Sequence, residues 1–347
     1  MEFLSLPFLS CLSLYPLTGK YKVILLQSPH MITALGFWGL ILVISLVILV
    51  KGADSFIGAS EKIGKAFKLS PFVIGVLLVG IGTSLPEFAS SVAALLSGNV
   101  EIITANAVGS NITNILLIVG ILAILAKKFI IKQDLLASEL SLFVVSTSLF
   151  IGVAFDGVIT QLESALLAIG FIIYLFYIIF GNSAEAPATA KYKADLPKGK
   201  VTRATIVSFV LGLGGVLLGA KFLIESVVSI SDILGIGTGV IAITIVALGT
   251  SLPELFVSLA ALRGGSTEVA IGNIFGSNAF NLLFAVGIPG LFSTLPLDPK
   301  TLSIGIPILA VASFIFVITG IAHRIYRWEG LMFLVYYAFF VIKVIGF

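Results

Sequence analysis

Charge is scarce in this chain. Only 11% of its 347 residues are charged, against roughly a quarter in an ordinary soluble domain, so the polar surface that water requires is missing. Cysteine is nearly absent as well. A lone Cys11 excludes an internal disulfide and any cysteine-held metal cluster. With only His30 and His323, no HExxH-type zinc site can be built. Lys and Arg exceed Asp and Glu by a formal charge of +3, but they lie in short loops between apolar runs rather than on a basic stripe. Nucleic acid is thereby excluded as a partner, and no cofactor motif is present.

What fills the chain instead is apolar. Hydrophobic residues make up 59% of it, and the mean hydropathy is +1.19. A length of 347 would suit two soluble domains, yet no such domain hides this much apolar surface from water, so lipid must cover much of it. A bilayer core of about 30 Å takes about 20 apolar residues per helix. Runs of that kind predict ten spans, near 32–51, 71–97, 102–126, 135–154, 159–180, 203–229, 238–262, 267–291, 302–320 and 328–346. The fold class expected is an all-α, multi-pass membrane protein. Residues 1–31 are left unassigned, because segment 3–17 is too short to span and lacks a basic start or a cleavage site. The polar stretch 181–202 is a linker between residues 32–180 and 203–347.

Loop charges orient the spans. Lys62, Lys65 and Lys68 follow span 1, Lys127, Lys128 and Lys132 follow span 3, and Lys191, Lys193, Lys198 and Lys200 occupy the linker. Arg263 follows span 7, and Arg324 and Arg327 follow span 9. The alternate loops, around Asn99, Asp156, Asp232 and Asp298, hold only Lys300. The linker is therefore expected in the cytoplasm and both termini outside the cell membrane.

An internal repeat organises everything else. Gly82-Thr83-Ser84-Leu85-Pro86-Glu87 returns letter for letter 167 residues later as Gly249-Thr250-Ser251-Leu252-Pro253-Glu254. The same offset carries Gly52-Ala53 onto Gly219-Ala220, Ser91 onto Ser258, Asn106 onto Asn273, Gly109-Ser110-Asn111 onto Gly276-Ser277-Asn278, and Asn114 onto Asn281. Each copy holds five spans, and an odd number turns the second copy upside down in the membrane. This is the inverted-repeat plan of secondary transporters, with broken helices at a central site where the copies meet.

Glu87 falls about three residues from the middle of span 2, roughly 5 Å from the midplane at 1.5 Å per residue, and Glu254 is placed equivalently in span 7. A carboxylate there is costly unless it is paired, protonated or coordinating. No intramembrane Lys or Arg repeats in step with these glutamates, so ions or protons from solution must neutralise them. Pro86 and Pro253 offer no N–H to the carbonyls four residues earlier. The distorted turns turn the carbonyls of Gly80, Thr83, Ala247 and Thr250 into candidate oxygen ligands. Two bidentate glutamates with two carbonyls reach the six to eight hard oxygens that Ca²⁺ takes. Asn106, Ser110 and Asn114 share one helix face at i, i+4, i+8, as do Asn273, Ser277 and Asn281; their neutral oxygens suit Na⁺ or a hydrated ion.

Plainer readings compete for several of these residues. Ser84-x-x-Glu87 is also a capping box, expected to cap a half-helix at Ser84 while pointing Glu87 inward. Gly272-x-x-x-Gly276 and Ala105-x-x-x-Gly109 are small-residue packing motifs. Asn114 and Asn281 could glue helices together. Asp54 and Lys221 read as interfacial anchors near span ends, and His323 as a cytoplasmic loop residue.

The paired GTSLPE segments, each followed by an Asn and a GSN (Asn106 to Asn111, Asn273 to Asn278), resemble the two α-repeats of the cation/Ca²⁺ exchanger superfamily, in its prokaryotic sodium/calcium exchanger branch. The resemblance runs from about residue 32 to the end. It implies that Glu87, Glu254 and the carbonyls of Thr83 and Thr250 form a Ca²⁺ site. It implies further that Gly80, Ser84, Ala247, Ser251 and the Thr83 and Thr250 hydroxyls line Na⁺ sites, with Ser110, Asn114, Ser277 and Asn281 completing the centre. Electrogenic exchange of Na⁺ for Ca²⁺ by alternating access is what it implies as function, with spans 1 and 6 sliding against the rest and no enzymatic activity. Many relatives carry Asp where Asn281 stands, and Asn at both Asn114 and Asn281 weighs against K⁺ dependence. Proton-coupled Ca²⁺ exchange on the same fold stays open, since two glutamates can carry two protons. An intramembrane protease would need a dyad or zinc that the sequence does not contain.

Overall fold

The computed structural model describes residues 29–126, 129–130, 133–180, 201–233, 249–322 and 324–345. The unassigned segment 1–28, most of the linker, the first half of span 7 with Ala247, and His323 lie outside these residues.

Among the described residues, eleven helices carry the fold. They are α1 (Pro29–Ala66), α2 (Pro71–Thr83), α3 (Leu85–Leu96), α4 (Glu101–Leu125), α5 (Gln133–Val153), α6 (Gln161–Phe180), α7 (Arg203–Ile233), α8 (Leu252–Arg263), α9 (Thr267–Gly290), α10 (Thr301–Ile321) and α11 (Arg327–Ile345). Runs of Leu, Ile and Val permit this because a helix satisfies its own backbone polar groups where water cannot. Six of the described helices are long and apolar enough to cross a bilayer, and α2 with α3, bent by 40° at the break between them, meets the same measure when taken as one.

Starts and stops follow local chemistry. Ser70 caps α2 by accepting from the Val73 N–H at 3.3 Å, with Pro71 in the first turn. Helix α1 outruns its expected end at residue 51 and continues to Ala66, since hydropathy falls at charged residues whereas helical propensity does not. Asp54 stands inside this helix with an exposed side chain. Lys221, 65% exposed, pairs with Glu225 at 3.8 Å.

Helices α9 and α4 form the centre, with 94% and 72% of their most apolar stretches buried, and α1 and α7 the outside, at 11% and 22%. Phe275 is wedged among Phe72, Phe143 and Phe316, joining α9 to α2, α5 and α10. The two long outer helices cross at glycine. A Cβ on Gly212 would lie 2.6 Å from the Phe56 nitrogen, and one on Gly52 2.8 Å from the Val216 nitrogen; only glycine allows such contact. Helix α2 meets α9 equally closely, a Cβ on Gly276 falling 2.6 Å from the Val76 carbonyl.

The repeat seen in the sequence returns in local structure. Helix α3 and helix α8 are twelve residues each and start at Ser84 and Ser251, whose dihedrals are −86°, 6° and −89°, 2°. Gly98 and Gly265 follow them with φ of 76° and 80°, the left-handed region that glycine tolerates. A π-helical turn over Thr113–Ile118 in α4 is matched by one over Phe280–Ala285 in α9. Two short antiparallel ribbons link the copies: β1 (Phe129–Ile130) pairs with β4 (Arg324–Ile325), and β2 (Val158–Ile159) with β3 (Leu295–Pro296).

Candidate functional site

The bend between α2 and α3 creates the site. Pro86 in the first turn of α3 has no N–H for the Gly82 carbonyl. The chain still passes hydrogen bonds across the break, from Ser84 N–H to the Gly80 carbonyl and from Phe88 N–H to the Ser84 carbonyl, both 3.2 Å. Below the break a π-helical turn spans Gly75–Gly80, an arrangement often found at functional sites. The first turn of α3 holds Glu87 and that of α8 holds Glu254. Both side chains are buried, at 1% and 0% exposure, and the two carboxylates interact electrostatically.

The expected capping box is not made. Ser84 and Ser251 occupy the N-cap positions of α3 and α8 without a side-chain cap bond. The Ser84 hydroxyl instead donates to Glu254 Oε1 at 2.8 Å, across the two repeats. Pro86 removes one of the N–H groups a cap would serve, and the hydroxyl hydrogen goes to a charged acceptor.

Around the glutamates the polar groups divide unevenly. Ser277 donates to Glu254 Oε1 at 3.4 Å and to the Gly80 carbonyl at 3.2 Å. Thr83 donates to Asn273 Oδ1 at 3.1 Å and approaches the Gly80 carbonyl at 3.4 Å. Asn273 donates in turn to the Glu254 carbonyl at 3.2 Å and to Ser258 Oγ at 2.8 Å. Ser110 and Thr250 meet through their hydroxyls at 3.4 Å. Glu87 Oε1, Glu87 Oε2, Glu254 Oε2 and Ser251 Oγ are buried with no hydrogen-bond partner.

Asn114 and Asn281 are also fully buried. Asn114 donates to Asn278 Oδ1 at 3.4 Å, while its own Oδ1 and both amide atoms of Asn281 have no partner. No hydrogen bond joins either side chain to the glutamates. Hydrogen bonds thus join Ser84, Ser277, Thr83 and the Gly80 carbonyl around Glu254, and Ser110 to Thr250, while Asn114 and Asn281 stand apart from this network and Ala247 lies outside the described residues. Asn273 and Ser258 bind the site together; the sequence marked Asn273 on a polar helix face and Ser258 only through the repeat offset. Glu61, which bonds Ser266 at the far end of α1, carried no signal at all.

Chemically, three of four carboxylate oxygens are buried and bare, amid neutral hydroxyl and amide oxygens. Carboxylate, hydroxyl and amide oxygens of this kind make a hard-oxygen environment suited to small cations.

Both halves of the chain, residues 37–180 and 204–346, match the family model described as sodium/calcium exchanger protein. The chain belongs to the sodium/calcium exchanger family. This is the prokaryotic branch of the cation/Ca²⁺ exchangers, whose members are transporters rather than enzymes. Sodium/calcium exchanger MaX1 of Methanosarcina acetivorans is 33% identical over 343 residues, covering 87% of this chain and 97% of that relative. Inner membrane protein YrbG of Escherichia coli is 30% identical over 281 residues, covering 80% and 86%. Solved structures of the sodium-calcium exchanger NCX_Mj superpose with a TM-score of 0.76 at 32% identity for the form soaked in 10 mM Na⁺ without Ca²⁺, covering 91% of this chain and 99% of that one. The exchanger-family match breaks between 180 and 204, at the polar linker, and resumes on the second copy.

Proposed function

We propose that this protein exchanges Na⁺ for Ca²⁺ across the cell membrane by alternating access, electrogenically, with Glu87 and Glu254 as the charged centre. The carrying observation is the trio of buried carboxylate oxygens without protein partners. Two glutamates give the site a charge of about −2, which is expensive in a low-dielectric, closed intermediate. One Ca²⁺, or two or more Na⁺, offsets it. The loaded protein can change its facing and the empty one cannot, and this is obligatory exchange. Thr83, Ser84, Ser110, Thr250, Ser251, Ser277, Asn114, Asn281 and the Gly80 and Ala247 carbonyls supply the neutral oxygens. The relatives named as sodium/calcium exchangers support Na⁺ as the counter-ion rather than protons.

Ten spans in two inverted copies of five make such a cycle feasible. Supporting this, the ribbon β1–β4 joins the loop after span 3 to the loop after span 9, and β2–β3 joins the loop after span 4 to that after span 8. In an alternating ten-span chain each ribbon joins loops on one side of the membrane, and loops equivalent by the repeat fall on opposite sides. With the lysine-rich loops inside, the linker is cytoplasmic and the termini are outside.

Membrane vesicles loaded with Na⁺ and diluted into Na⁺-free medium test the reading by uptake of labelled Ca²⁺. A Na⁺ gradient is expected to drive uptake and a pH gradient not to. Glu87→Gln keeps the shape and removes one charge, and is expected to cut exchange by about a hundredfold or more. Full Ca²⁺ flux in that variant would end the proposal.

A further inference from the structure

The sequence makes the two half-sites equal, and the structure makes them unequal. The bonds of Ser84 and Ser277 to Glu254, and of Asn273 to Thr83, the Glu254 carbonyl and Ser258, each have a repeat equivalent 167 residues away among the described residues; only the Gly80 carbonyl has its equivalent, Ala247, outside them. Thr83 donates to Asn273, but Thr250 bonds Ser110 instead of Asn106. Asn273 holds the Glu254 carbonyl and Ser258, yet no side-chain hydrogen bond ties Asn106 to the Glu87 carbonyl or to Ser91. Ser84 donates to Glu254, while Ser251 Oγ has no partner and both Glu87 oxygens are bare. Burial runs the same way: Asn273 and Thr83 are fully buried, and Asn106 and Thr250 only half-buried.

Resting on the alternating-access reading above, we propose that Asn273 and Asn106 are a pair of positioning residues that exchange duty between the two facings of the transporter. In the state seen here, Asn273 fastens Thr83 of one copy to the Glu254 backbone and Ser258 of the other. Asn273 lies near the start of α9, in the cytoplasmic half, where α2 lies backbone to backbone against α9 at Gly75, Gly272 and Gly276. In the topology proposed above, this contact closes the cytoplasmic half. Asn106 lies near the start of α4, in the outer half. When that half closes, Asn106 takes Thr250, the Glu87 carbonyl and Ser91, and the Asn273 set lets go. Two identical motifs in inverted copies make the two arrangements near mirror images. Each Asn side chain supplies one acceptor and two donor hydrogens, matching the three bonds that Asn273 makes.

Neither Asn contacts a carboxylate oxygen, so each acts through the residues it holds. The distinguishing readout is sidedness, because apparent affinity at one face scales with the fraction of protein facing that way. Half-saturating Ca²⁺ for Na⁺-driven exchange is measured at the outer face in right-side-out vesicles and at the cytoplasmic face in everted ones. Asn273→Ala is expected to raise the outer-to-cytoplasmic ratio about threefold or more, and Asn106→Ala to lower it by a similar factor. Ser258→Ala and Ser91→Ala, gentler changes at the same bonds, should move the ratio in the same two directions and replace the Asn variants if those fail to accumulate. Ratios that stay at the wild-type value, or move the same way in both copies, overturn the proposal, whatever happens to protein yield. Wild-type vesicles showing no Na⁺-driven uptake would instead sink the exchanger reading beneath it.

Discussion

Glu254 and Glu87 differ in their company more than in their position. The Ser84 hydroxyl reaches Glu254 Oε1 at 2.8 Å, a bond to a charged group worth about 1.5–3 kcal/mol. Ser84→Ala removes it without altering backbone or volume greatly. Apparent Ca²⁺ affinity is expected to fall about tenfold, measured as the half-saturating concentration in the vesicle assay, while Ser251→Ala, whose hydroxyl has no partner here, should do less. An equal loss in both variants would mean that the serines act only as ion ligands. The sequence could not have ranked them. Identical hexapeptides stand at both breaks, and which serine finds a carboxylate depends on how the two copies meet.

Among the elements, the crossing of α1 and α7 is the contact most sensitive to side-chain size. At Gly212 even a methyl group would press on the Phe56 backbone, 2.6 Å from its nitrogen, and backbone cannot swing aside as a flexible side chain can. Gly212→Val should destabilise the protein by about 1–3 kcal/mol through overpacking, seen as a lower thermal midpoint in detergent. By contrast, Gly36→Val, at a position with open space around its Cβ, should leave the midpoint near the parent value. At the C-terminal end of α1, Glu61 bonds Lys65 at 3.4 Å and also Ser266 in the loop before α9. Its repeat equivalents, Val228 and Asn99, cannot form an ion-assisted bond. Ser266→Ala is expected to speed amide hydrogen exchange over residues 55–66 and to leave the centre of α9 protected.

At the scale of the whole molecule, the bare centre is neutral apart from its two glutamates. Asn114 and Asn281 add oxygens and no charge, so Na⁺-driven Ca²⁺ uptake is expected to be unchanged when K⁺ is replaced by choline on both sides. A K⁺ requirement would show that a third charge is carried in the cycle. Much of this architecture was legible in the chain. The multi-pass helical fold, the 167-residue offset and the cost of burying the two glutamates follow from hydropathy, repetition and charge, all local or periodic properties. The length of α1 was underread because charged residues end a hydropathic run without ending a helix. The capping role of Ser84 was misread because Pro86 removes an N–H that the cap would serve, while a carboxylate 170 residues away takes the hydroxyl hydrogen. Nothing periodic marks Asn273 as the residue that ties Thr83 to Glu254, or leaves Asn106 untied. Identical motifs determined that two equivalent half-sites would exist; tertiary packing alone decided which is fastened, since symmetric sequences can occupy an asymmetric state and only contacts between the copies break the tie.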